Sequence, residues 1–396
     1  MATPVFCCGF ECGVANAHWA LTGNTSFSTS TVRSGARSAR IAPTASTTGQ
    51  ITRVISTNKI VLRAYLRFAV LPDQTHIIIG ATDGSDNAGV VFNVSDSKLY
   101  AGSSSGLKGA TGISITTGVW YRIDIYLDVS ANPWVNKVKV DGVDCGDYNR
   151  ATAATTLTSI LLGYATAANA RTFDAFFDDI IVSETLADYP IGAGHVNHFV
   201  PTADGTHNVI GASDFERSGT GTDITNATTT AYQLIDDVPL KSGVVSEYIN
   251  LIAPPNATDY VEVVFGPAPG ISTPTAAPRA VEALVAYAST SAGTNNLRLA
   301  LNDNGTTNDV LNTTTGPGTT ATYARKFYAA GPAGAWVIGG GGNGDFTDLR
   351  MRCFTSDAAP DPWWASAMIE AEFQEIAVIP NKIVQVNQAI KRASYY

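Results

Sequence analysis

Glu370-Ala-Glu372-Phe-Gln-Glu375 is the stretch whose residue types and spacing come nearest to catalytic chemistry. On an extended strand side chains alternate, so Glu370 and Glu372 share one face. Retaining glycoside hydrolysis needs two carboxyl groups about 5 Å apart, one as nucleophile and one as acid. The competing expectation is plain packing. Met368, Ile369, Ala371 and Phe373 turn inward and the glutamates face solvent. Packing is the preferred expectation, and no catalytic residue is assigned.

Other groups could hold a metal. His195-x2-His198 with His207 downstream has the residue types for zinc, but lacks a set of four ligands. Polar contacts within a linker explain these histidines more simply. Cys7-Cys8-x3-Cys12 also lacks repeated CxxC spacing, and small apolar thiols pack well at the start of a first strand. Asp83, Asp86 and Asn87 offer hard oxygens at an expected loop tip and are weak calcium candidates. The same residue types also simply make turns. Asp178 and Asp179 lie near an expected strand end. No cofactor is assigned, with calcium the one candidate ion.

Sugar recognition needs an exposed aromatic ring beside polar loops. Trp134, in an expected hairpin loop, and Trp363-Trp364, after Asp361-Pro362, are the glycan-binding candidates, while Trp120 reads as core. No Gly-x-Ser-x-Gly elbow is followed by its partners. Gly339 to Gly344 lacks the Gly-Lys-Ser/Thr element of a phosphate cradle and reads as a tight loop.

The elements that position these residues are short strands. In Trp120-Tyr-Arg-Ile-Asp-Ile-Tyr-Leu-Asp128, Tyr121, Ile123, Ile125 and Leu127 share one face; Arg122, Asp124, Tyr126 and Asp128 share the other. Ile60 to Ala69 reads as a strand whose wet face carries Arg63 and Arg67. Val135 to Val140 alternates and ends in Asp141-Gly142, a hairpin signal. Phe176 to Val182 closes a first unit. Later strands are expected at Tyr248 to Ile252, Tyr260 to Phe265, Ala280 to Tyr287, Leu297 to Leu301 and Met368 to Ile379. Turn residues such as Asn302-Asp-Asn-Gly305 separate them. The expected fold class is all-β: two antiparallel β-sandwich, jelly-roll-like domains over 1–188 and 211–380. A Pro/Gly-containing linker, 189–210, joins them, and 381–396 form a short C-terminal tail.

Composition narrows the function classes. The chain has 396 residues, a net charge of −9, 45% hydrophobic residues and only 15% charged ones, against roughly 25% charged in an average domain. No apolar run approaches the roughly 20 residues that span a bilayer. No basic region precedes an apolar stretch at the N-terminus, so no secretory signal is expected. The acidic balance and lack of Lys/Arg clusters argue against nucleic acid. Five Cys without a signal do not read as a disulfide framework.

Val32-Arg-Ser-Gly-Ala-Arg-Ser-Ala-Arg-Ile41, Trp120 to Ile125, Val138-Lys-Val-Asp-Gly142 and Phe176 to Val182 follow one another in order. Through them the first unit resembles concanavalin-type, laminin-G-like jelly rolls, in which the last of these strands carries a buried-Asp motif. Laminarinase-type glucanases, also jelly rolls, use a Glu-x-Asp-x-x-Glu strand. Here Glu372 stands in the middle position, and the stretch lies in the second unit.

A wider resemblance runs through Phe177-Asp-Asp-Ile-Ile-Val182, Gly192 to Phe199, Val200-Pro-Thr-Ala-Asp-Gly205 and Ile235-Asp-Asp-Val-Pro239. These segments resemble a recurrent tailed-bacteriophage virion protein, over Gly9 to Val386. The resemblance implies a non-enzymatic structural component of the particle: tail, fibre or capsid-surface decoration. Its implied partners are copies of itself and other virion proteins, and its implied location is the virion, assembled in the host cytoplasm. The alternative is a carbohydrate-binding adhesin that attaches the particle to host-surface glycan. A glycan hydrolase ranks last.

Overall fold

The computed structural model describes residues 4–14, 19–103, 108–165, 171–210, 214–218, 222–252, 259–355 and 362–375. The expected tail, 381–396, lies outside them. All named strand pairs are antiparallel, and the described helices are short 3-10 turns. Among the described residues no helix is long and apolar enough to cross a membrane.

The first unit is a sandwich of two sheets. An eight-stranded sheet runs Val143–Arg150, Trp134–Val140, Trp120–Asp128, Lys59–Val70, Asp174–Ser183, Ser38–Ile41 and Thr25–Ser28, with Pro4–Cys8 paired to Asp174–Ser183. A seven-stranded sheet runs Ile113–Ser114, Lys98–Ser103, Asn87–Asn93, His76–Thr82, Leu157–Ala165, Gly49–Thr57 and Ala20–Gly23. Alternation along the strands sets the core between them. Ile60, Leu62, Ala64 and Leu66 point inward beside Ile123, Ile125 and Leu127. Asp141 (φ 49°) and Gly142 (φ 84°) make the primed hairpin turn that this pair favours.

The second unit is one 11-stranded sheet. Residues from both of its ends, Phe215 and Ile249 at one and Leu299 and Val310 at the other, share a single apolar cluster. The sheet therefore curls around its own core. Its longest strand, Pro362–Gln374, pairs along one edge with Ala280–Ser289; along the other edge it pairs with Ile249–Leu251 and then Gly194–Asp204.

That last pairing differs from the expected linker. Residues 194–204 form a central strand rather than a connector. Gly194 and Pro201 obscured the alternation of Val196, His198 and Val200, all buried. Trp120 also differs from expectation, being only partly buried at the start of its strand.

Candidate functional site

Each unit has one sheet face that looks away from its own core, and these two faces meet. On the first unit the off-core positions are Val61, Arg63 and Tyr65, with Asp124 and Tyr126 on the neighbouring strand. On the second they are Ala280, Glu282 and Leu284, with Met368, Glu370 and Glu372 across the ladder. Apolar patches frame the contact. Cys7, Val61, Ile181, Ile191, Val196 and Ala280 form one; Cys12, Val14, Leu240, Leu284 and Met368 form another.

Charge fills the space between. Arg63 is fully buried and donates to Glu372 Oε1 at 2.7 Å. Its other donors reach the Asp179 carbonyl at 3.0 and 3.3 Å and the Gly192 carbonyl at 3.4 Å. Arg279 donates to Glu372 Oε2 at 2.7 Å. Burial works against charge on Glu372, yet Arg63 and Arg279 hold its carboxyl below the usual range. Arg33 lies 3.4 Å over the Tyr65 ring, pairs with Asp179 at 2.6 Å and also meets Glu375. Asp179, at φ 51°, turns its carboxylate to accept from the Val196 amide and the Ser34 hydroxyl, both at 2.6 Å.

A few ångströms along, acids gather instead. Glu370 Oε1 accepts the Glu11 amide at 2.9 Å. The Glu11 carboxyl accepts from the Ala36 and Arg37 amides and lies 3.1 Å from His198 Nδ1. Burial pushes Glu370 up to about 8, with the Glu282 charge adding to it. It pushes Glu11 up to about 9 against the pull of the Ala36 amide. Glu282 rises to about 7 through burial, opposed by Arg53 and Arg325, each 3.9 Å away. Burial lowers His198 to about 4, so its ring is neutral at neutral pH.

The structure corrects several expectations about side chains. Glu370 and Glu372 share a face, as alternation requires, but that face is covered by the first unit and both are fully buried. Among the described residues neither carboxyl faces solvent. The tryptophan platform is also absent. Trp134 is buried against the first core and donates to the Ala153 carbonyl at 2.7 Å. Trp364 lies in the second core, and Trp363 is covered by the Tyr248 ring, stacked at 4.1 Å. Apolar cores absorb these large rings because burying them is worth more than exposing them.

The calcium candidates serve other ends. Asp83 accepts the Ser85 and Asp86 amides at 2.8 and 2.7 Å, closing the turn, and Asp86 pairs with Arg150. Asn87 is buried in a strand. Among the described residues no group of three or more His, Cys, Asp or Glu is placed to hold a metal ion. Cys7, Cys8 and Cys12 are free and buried. His207 accepts the Glu262 amide at Nδ1, 3.1 Å away.

Beside the junction opens a cleft of about 460 Å³. His195 forms part of its wall, its ring stacked on Phe373 at 5.7 Å and 27°. Asn197, the Ser272–Ala276 loop, Gln374 and Glu375 complete it. Sequence reasoning grouped His195 with the other histidines and did not single out Asn197 or the loop. The available signal was the alternation His195, Asn197 opposite Val196, His198.

No protein-family model matches the chain, and no curated protein sequence matches it. Several solved structures are weakly similar. One is domain 4 of AbnA, a GH43 extracellular arabinanase from Geobacillus stearothermophilus, in complex with arabinotriose. It is 15% identical, with a TM-score of 0.33, covering 46% of this chain and 93% of that one. Another is the N-terminal CBM22-1-CBM22-2 tandem domain of Paenibacillus barcinonensis Xyn10C, 11% identical, TM-score 0.26, covering 93% and 98%. A third is Trypanosoma rangeli sialidase in complex with sialic acid, 13% identical, TM-score 0.32, covering 44% of this chain and 30% of the sialidase.

Proposed function

We propose that this chain is a non-enzymatic structural component of a bacteriophage particle, a rigid block made of two joined β units. The carrying observation is the charged junction. Residues that are apart in sequence, from Glu11 to Glu375, interlock there and fix one unit on the other. Parts of the segments through which the sequence resembles virion proteins reach this place. Asp179, Gly192, Gly194 and Val196 bond across it, Val238 packs in it, and the Leu240 amide donates to the Cys12 carbonyl. A fixed angle between domains suits a part that must repeat identically in an assembly. The sealed glutamates support a non-catalytic role. The partners in this proposal are further copies of the chain and other virion proteins, in a particle assembled in the host cytoplasm.

The test is composition. Purified particles are expected to contain the protein at a fixed copy number, and the isolated chain is expected to oligomerise. A strictly monomeric chain that is absent from particles contradicts the proposal.

A second reading is attachment to surface carbohydrate. The open cleft at His195 favours it, in place of the buried tryptophans. Both roles are compatible in one exposed particle protein.

A further inference from the structure

We infer that the cleft beside the junction is a binding site for an uncharged hexose oligosaccharide, an inference that rests on the attachment reading and gives it residues. The His195 ring lies nearly parallel to Phe373 and is only partly buried. Phe373 itself is 4% exposed and backs the ring from the core side. A backed aromatic face of this kind is rigid, and rigid rings lose little freedom when an apolar sugar face lies on them. Pro274 adds apolar wall.

Polar groups share the cleft wall with that face. Asn197 follows His195 by two residues, so both project from the same side of the Gly194–Asp204 strand. Among the described residues no hydrogen bond engages the His195 ring or the Asn197 side chain. Thr273 is exposed on the facing loop and brings a hydroxyl. The cavity volume falls within the range of small-molecule clefts, roughly 300–1,000 Å³.

Charge sets the ligand class. Among the described residues lining the cleft Glu375 is the one carboxylate, and its side chain is 39% exposed. Arg33 pairs with it from behind, its guanidinium held by Asp179 and the Gly194 carbonyl. The pair leaves the wall with acceptors but no excess cation to draw an acidic sugar. Hydroxyl donors of a neutral ring match a carboxylate and amide carbonyls, whereas a sialic-type carboxylate meets Glu375 as a like charge.

The experiment uses the full chain on a printed array of neutral hexose oligosaccharides and sialylated oligosaccharides, followed by calorimetric titration of the strongest binder. Neutral oligosaccharides are expected to bind and sialylated ones not to. His195→Ala and Asn197→Ala are each expected to weaken binding roughly tenfold with an unchanged melting temperature. Thr273→Trp, on the exposed loop, is expected to fill the cleft and abolish binding without touching the sheet. The inference is overturned if no neutral oligosaccharide binds at millimolar concentration. It is equally overturned if sialylated sugars bind as well as neutral ones, or if Thr273→Trp leaves binding intact. Particle composition separates the two proposals. A chain that enters particles but binds no sugar defeats the site alone, and a chain that binds sugar but never enters particles defeats the assembly role alone.

Discussion

Glu370 and Glu372 stand two residues apart on one strand, on one face, both fully buried, yet their carboxyls are driven in opposite directions. Around Glu372 the first unit supplies Arg63 and the second supplies Arg279, and the carboxyl stays ionised. Around Glu370 it meets Glu11, with Glu282 nearby, and burial favours the proton. The two ends of the junction therefore do different work. The arginine end gives directional bonds that fix the angle between the units, since breaking any one leaves a charge stranded in a dry place. The acid end tolerates neutral carboxyls and makes the contact sensitive to pH.

Removing the central cation should break the contrast most completely. Arg63→Ala leaves buried Glu372 with Arg279 alone and the Asp179 carbonyl without its guanidinium donors, and is expected to cost about 3 kcal/mol in chemical denaturation. Arg63→Lys, which keeps the charge but loses the fork, is expected to recover only part of that. Next comes Glu372→Gln, which removes the anion that both arginines share. A loss of about 2–3 kcal/mol is expected, whereas Glu370→Gln, which removes a carboxyl that the unfolded chain ionises and the buried site does not, is expected to gain stability at neutral pH. Equal losses at the two positions would dissolve the distinction between the ends.

The acid end predicts a pH slope. Burial raises Glu11 to about 9, Glu370 to about 8 and Glu282 to about 7, from an ordinary 4.5. A carboxyl raised on folding holds a proton in the native state that the unfolded chain has already lost. Its contribution is greatest at low pH and is lost as pH rises from 4.5 through the folded value. His198 and His76, lowered by burial to about 4, oppose this below 6.5, where the unfolded rings take up protons. Stability should therefore rise as pH falls from 9 to 6.5. Below its folded value of about 8, Glu370→Gln should flatten that rise by about 1.4 kcal/mol per pH unit, measured by denaturation at each pH. The smallest effect is expected far from the junction. Asp83→Ala should cost about 1 kcal/mol through its turn bonds, and added calcium or chelator should leave the melting temperature unchanged.

Much of the fold was legible because alternation is a local property. The strands around Tyr121 to Leu127, Tyr260 to Phe265 and Ala280 to Tyr287 appear close to where their patterns place them. So do the turns at Asp141-Gly142 and Asn304-Gly305. What alternation cannot state is what covers a polar face. Arg63, Glu370 and Glu372 are on the face their spacing dictates, but that face is a junction and not a solvent boundary. The strand over Gly194–Asp204 was hidden for a related reason: Gly194, and Gly192 just before the strand, turn their carbonyls to Arg33 and Arg63, which donate to them. The tryptophans failed as a platform because loop position in sequence says little about burial, and Trp134 folds back over the core its own hairpin helps to close.

The most direct measurement of the welded junction is scanning calorimetry of the whole chain beside Arg63→Ala. The wild type is expected to unfold in one cooperative transition whose calorimetric and van't Hoff enthalpies agree, and Arg63→Ala is expected to split it into two. Two independent transitions in the wild type, unmoved by the substitution, would contradict a junction that makes the two units one body.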